Sequence, residues 1–161
     1  MKKMNNKGFS LVELIVVVLI MAIIAVALAP QVMKWVENSR KSTDIENYNA
    51  LVEAANVAST NEDFLKVVDA TGITITMGTS NTQTTGTGKS QFDNIMTETL
   101  PGWAATKVTG AWIGEKVDST AVATGITTQP TATANQFTIN VSKTTNGIKV
   151  VKTLAPRKNF S

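Results

Sequence analysis

The sequence predicts an α+β protein, in which a long N-terminal α-helix packs its outer half on a small antiparallel β-sheet of three or four strands, with one or two short helices before the sheet. The helix is predicted by 20 consecutive residues, 14–33, without a charged side chain, and by helical spacing of apolar residues that continues to Ala58. The sheet is predicted by apolar and polar residues alternating around Ile73, Ile75 and Met77, and again at Phe137, Ile139 and Val141. With 161 residues the chain has room for one domain of ordinary size beside such a helix.

The first half of the helix is Leu, Val, Ile, Ala and Met. At about 1.5 Å per residue its uncharged run spans the roughly 30 Å hydrocarbon core of a bilayer. Glu13 stands alone at its start. An acid at the centre of a membrane helix costs about 2.5 to 3.5 kcal/mol, so such a residue is by default a functional candidate with a partner to be found. Pro30 lacks an N–H and crowds the preceding turn, which predicts a bend near Leu28 or Ala29. Farther on, Val36, Ile45, Tyr48, Val52, Ala55 and Ala58 form an amphipathic stripe, loosened in the middle by polar residues 38–43. The whole helix, 9–58, would measure roughly 75 Å.

A basic leader with Lys2, Lys3 and Lys7 ends in Gly8, followed by Phe9, by SLVE with Glu13 as the fifth residue after the glycine, and by the apolar run, with Pro30 twenty-second from Phe9. These residues resemble a type IV prepilin. The same segment occurs in the pseudopilins of type II secretion and competence systems. The resemblance implies a pilin-like fold with a leader at 1–8, a transmembrane and polymerisation helix at 9–35, and a globular domain at 36–161 that includes the amphipathic half of the helix. It implies cleavage between Gly8 and Phe9, N-methylation of Phe9, and assembly through the Phe9 amine and Glu13. The implied role is structural and not enzymatic: a single-pass subunit of the cytoplasmic membrane, its C-terminal domain outside, that polymerises into a surface pilus for adhesion, twitching motility or DNA uptake. A pseudopilin is the alternative. Implied partners are further copies of the chain in a helical filament, the prepilin peptidase, an assembly ATPase and a platform protein, with the membrane as host before assembly. An ordinary secretory signal fits less well. Its match at Ala27 and Ala29 would put Pro30 just after the cut, and Glu13 would interrupt its apolar region.

Asn61 or Thr60 suits the cap of a second helix from Glu62 to about Ala70, with Gly72 beyond its end. Ile73, Ile75 and Met77 then make a strand. Residues 79–89 are Thr, Ser, Asn, Gln and Gly, which predicts a surface loop. Ser90 suits the cap of a third helix through about Leu100, stopped by Pro101 and Gly102. Strands are predicted at 107–117, 121–127, 136–141 and 147–154, the last two as a hairpin around Asn146 and Gly147. Trp103, Trp112 and Phe137 are assigned to the core between sheet and helix.

The chain has no His and no Cys, so thiol catalysis, a Ser-His-Asp triad, an ordinary zinc site and a disulfide framework lack their raw material. Many Gram-negative members of the resembled family close a C-terminal loop with a disulfide; here the sequence departs from them. Glu62, Asp63 and Asp69 are assigned to helix-end electrostatics, not to a metal, and no cofactor is expected. The net charge of +3 comes from the leader: after Gly8 there are 12 basic and 12 acidic side chains. Those charges are segregated, with 7 basic and 12 acidic residues in 9–118 but five basic and no acidic ones in 119–161. A solvated edge strand guarded by lysines, contacts between neighbouring subunits, and a surface attracting nucleic acid or another polyanion all remain open, and nucleic acid is not specifically indicated.

Overall fold

The computed structural model describes residues 10–119 and 130–157. The first element, α1, spans Leu11–Ser59 and passes through Pro30 without a break in the helix. The chain forms two compact units, Met1–Val36 and Glu37–Ser161.

In the first unit α1 leaves its side chains uncovered, and Leu11, Val26 and Met33 are each more than two thirds exposed. In the second unit the helix buries one seam: Lys41, Asp44, Tyr48, Leu51, Ala54, Ala55 and Ala58. The stripe expected from sequence holds through Tyr48, Ala55 and Ala58 and is corrected at its N-terminal end. Val36 is exposed, because twelve residues at 100° each carry it about 120° round the helix from Tyr48. Polar residues 41 and 44 are buried in its place.

The short helix α2, Glu62–Val67, is capped by Asn61, whose Oδ1 accepts the Asp63 N–H at 2.9 Å. Thr60 bonds back to Val57 instead. α2 stops three residues short of the predicted end because Asp69 offers the backbone another partner: its Oδ1 accepts N–H bonds from Thr71 and Gly72, and its Oδ2 accepts the Thr87 hydroxyl. Those donors, the Gly72 amide foremost, hold the Asp69 carboxyl below the ordinary aspartate range.

Four antiparallel strands follow: β1 (Ile73–Met77), β2 (Thr82–Gly86), β3 (Phe137–Thr144) and β4 (Gly147–Leu154), in the order β2-β1-β3-β4. β1 pairs Ile73 with Gly86 on one side and with Val141 on the other. Ile73, Ile75, Met77, Phe137, Ile139 and Val141 are all buried, so the core faces one side of the sheet. β2 corrects the predicted surface loop at 79–89. Thr82 and Thr84 are buried there at no polar penalty: Thr82 Oγ1 bonds the Thr106 carbonyl at 2.8 Å, and the Thr84 hydroxyl donates to Asp93.

The helix α3, Lys89–Thr99, lies between β2 and β3 in the chain, so only α2 precedes the sheet. Its cap is Gly88 in a left-handed conformation, not Ser90. Phe92 and Met96 are its buried residues, and Phe92 meets Phe64 of α2 with ring centroids 5.1 Å apart. The predicted strand at 107–117 is absent. That segment follows a 3-10 turn at Trp103–Ala105 and, among the described residues, enters one isolated bridge, Lys116 with Thr131; a second, Asp118 with Ala155, lies just beyond it. The predicted strand at 121–127 lies outside the described residues. Trp103, Trp112 and Phe137 are buried, and Phe137 stacks edge-on between Trp112 at 5.1 Å and Tyr48 at 5.8 Å.

Candidate functional site

Two features of α1 bear on function, one in each unit. In the first, the helix is apolar on every side and exposed on every side, with Leu14, Ile15, Val16, Val17, Val18 and Leu19 each more than 40 % exposed. An all-round apolar helix has no face for water and belongs in lipid or among other helices. α1 is long and apolar enough to cross a membrane. Glu13 sits in its first turn, where a negative charge complements the helix dipole, and no hydrogen bond reaches its carboxylate among the described residues. Pro30 lies seventeen residues on, roughly 25 Å along the axis, so the two are not neighbours. Gly8 and Phe9 lie outside the described residues.

In the second unit the same helix grips a loop. Asp44 is fully buried, and its carboxylate is saturated: Oδ1 accepts the Thr109 N–H at 2.8 Å and the Thr109 hydroxyl at 2.9 Å, while Oδ2 accepts the Gly110 N–H and the Trp112 Nε1–H, both at 2.8 Å. Four donors replace the water it has lost. One turn earlier Lys41 Nζ meets Glu115 Oε1 at 2.7 Å and stands 5.6 Å from the Trp112 ring centroid. A further turn back, Glu37 accepts the Ala111 N–H. Gly110 suits this close approach, since a Cβ there would lie 2.8 Å from Lys41 Cγ and 3.0 Å from Asp44 Oδ2 and the clasp would have to shift. On the far side of the loop Asn135 Oδ1 accepts the N–H groups of Trp112 and Ile113.

This clasp was not among the residues singled out from sequence. Its signal is the spacing 37, 41, 44, 48, which is the seam walked back from Tyr48 in steps of four, three and four. Every carboxylate of the clasp is engaged in holding the loop on the helix, so its chemistry is that of positioning. It continues into Tyr48, whose hydroxyl donates to the Thr138 carbonyl at 3.4 Å, and burial, with the Asp118 charge adding to it, raises that phenol well above its ordinary pKa. Asp69, read from sequence as a helix-end charge, instead ties α2, β1 and the end of β2 together.

A family model described as the prokaryotic N-terminal methylation motif matches residues 3–29, which include Gly8, Phe9 and Glu13. No curated protein and no solved structure matches the chain. An exposed apolar helix with this motif at its head fits a membrane-anchored subunit. Residues 3–29 are the prepilin signal shared by the type IV pilins and the pseudopilins, and the long helix with its four-stranded antiparallel sheet is consistent with a pilin-like α+β fold.

Proposed function

We propose that the chain is the structural subunit of a type IV pilus. Prepilin peptidase cuts between Gly8 and Phe9 and methylates the new amine; the apolar helix holds the subunit in the cytoplasmic membrane until an assembly ATPase and a platform protein feed it into a surface filament. The observation that carries this reading is Glu13, a lone carboxylate at the start of an exposed apolar helix and inside the methylation motif. Once helices pack together, that charge needs a counterion, and the Phe9 amine of an adjoining subunit has the right sign. A buried ion pair on an otherwise non-directional surface fixes axial register.

The test is Glu13→Val in cells whose only subunit of this kind is the variant. It is expected to be cut normally and to stay in the membrane. The ratio of mature chain in sheared filaments to mature chain in the membrane should fall at least about ten-fold, since stranding one member of a buried pair costs about 3 kcal/mol or more. Normal filaments from Glu13→Val alone would refute the pairing. A wild-type chain that is cut and methylated but never recovered by shearing would move the assignment to a pseudopilin.

A further inference from the structure

We propose that the cavity beside the β1–β2 turn binds a neutral saccharide. The cavity has a volume of about 370 Å³, and Thr76, Asn81, Gln83, Asn135 and Gln136 are among its lining residues. Its size lies toward the lower end of the range for small-molecule sites, about 300 to 1,000 Å³. All of its lining belongs to the unit Glu37–Ser161, so the site holds whether or not the chain forms a filament. Thr76 and Gln83 face each other across β1 and β2, and the neighbours of Thr76 in the strand, Ile75 and Met77, are buried. The cavity therefore opens on the side of the sheet turned from the core.

The lining selects first by what it lacks. Apart from Gly78 and Ala134, every described residue around the cavity carries a hydroxyl or a side-chain amide, and none is charged or aromatic. An ionic ligand finds no counter-charge there, and a planar base or an apolar group finds no surface to pack on. A peptide cannot add as a strand at the turn, because the Gly78 N–H is spent on the Asn81 carbonyl and the Gly78 carbonyl on the Val108 N–H, both at 2.9 Å. Recognition is left to the hydroxyls and amides. Three of those amides are held in place by bonds within the chain. Asn135 Oδ1 accepts the Trp112 and Ile113 N–H groups at 2.7 and 3.0 Å, which leaves its N–H₂ to donate. Asn81 Oδ1 accepts a Gln83 Nε2 hydrogen at 2.9 Å, which leaves the Asn81 N–H₂ as donor and the Gln83 side-chain carbonyl as acceptor. Donors and an acceptor set in advance suit neighbouring hydroxyls, each of which both gives and takes hydrogen bonds, and their fixed orientation lowers the ordering cost of binding. A sugar ring carries such hydroxyls on adjacent carbons. About four neutral hydrogen bonds without an aromatic platform correspond to a Kd on the order of 1 mM.

The test uses the full chain in fluorescent phosphatidylcholine vesicles, many copies to a vesicle so that weak sites act together, on an array of immobilised neutral, acidic and amino saccharides. Vesicles without the chain are the blank. The chain should retain vesicles on neutral saccharides, and the same sugar free in solution should halve retention at a concentration on the order of 1 mM. Inhibition by a free monosaccharide would mark the ligand as a terminal sugar, and inhibition by oligomers alone as an internal stretch of a polymer; either supports the site. Asn81→Ala/Gln83→Ala, both exposed positions, should lower retention at least about ten-fold while the unfolding midpoint stays at the wild-type value. Lys149→Ala, two strands away on the β4 edge, should leave retention unchanged. Retention on no neutral saccharide would overturn the inference, as would retention that survives Asn81→Ala/Gln83→Ala. A loss on Lys149→Ala, with acidic saccharides preferred, would assign the binding to charge and overturn it as well. None of these outcomes bears on filament assembly, which Glu13→Val tests separately.

Discussion

Two acids on one helix show how differently a carboxylate can be accommodated. Asp44 is buried and takes all four of its donors from a loop of its own chain, whereas Glu13 is exposed and takes no hydrogen bond among the described residues. The first charge is complete within the monomer. Asp44→Ala would strand the Gly110 N–H and the Trp112 indole N–H in the interior, and each buried unsatisfied donor costs about 1 to 3 kcal/mol. The expected outcome is a loss of about 3 kcal/mol or more. Asp44→Asn, which keeps the shape but turns an amide N–H₂ toward donors, should fall in between. Thermal unfolding of the full chain in detergent, followed by tryptophan fluorescence, measures both. An Asp44→Ala chain as stable as wild type would show that water replaces the carboxylate.

Among the elements, β1 pairs on both sides, as β3 does, and is entered through Gly72. Gly72 has φ +69°, and a Cβ there would lie 2.1 Å from the Val141 carbonyl oxygen, beside the Ile73–Val141 pair. Gly114 has φ +85° and open space around it. Gly72→Ala should therefore cost about 3 kcal/mol or more, and Gly114→Ala only about 1 kcal/mol of left-handed strain. Equal unfolding midpoints in urea for the two variants would contradict this. β1 and the β3–β4 hairpin were legible because their apolar residues alternate beside a turn with its own signature. β2 was not, because Thr82 and Thr84 become core residues only when Thr106 and Asp93 receive their hydroxyls, and nothing local announces those partners. Residues 107–117 misled for the opposite reason: Val108, Trp112 and Val117 are buried as in a strand, but their segment is held by Asp44, Glu37 and Asn135 and not by a sheet neighbour. The Glu13 motif could be read directly because it is contiguous; the clasp joins residues 65 to 74 apart in the chain, and no window of sequence contains it.

For the whole molecule, the hydrophobic core is drawn from Ile45 onward among the described residues, and none of 10–36 belongs to it. A chain beginning at Gln31 should thus be soluble and unfold cooperatively, within about 1 kcal/mol of the full chain. Failure to fold, or a non-cooperative transition, would show that the apolar segment supports the domain. The clasp has a mechanical meaning under the function proposed above. A pull along α1 reaches the globular part first at Glu37, Lys41 and Asp44, three successive turns holding one loop by bonds that run sideways from the helix. Bonds set abreast of the load are sheared together and share it, whereas bonds in line peel one after another. Within the second unit the helix holds its loop by a shear joint, and the buried, fully bonded Asp44 is the rivet least open to water under tension.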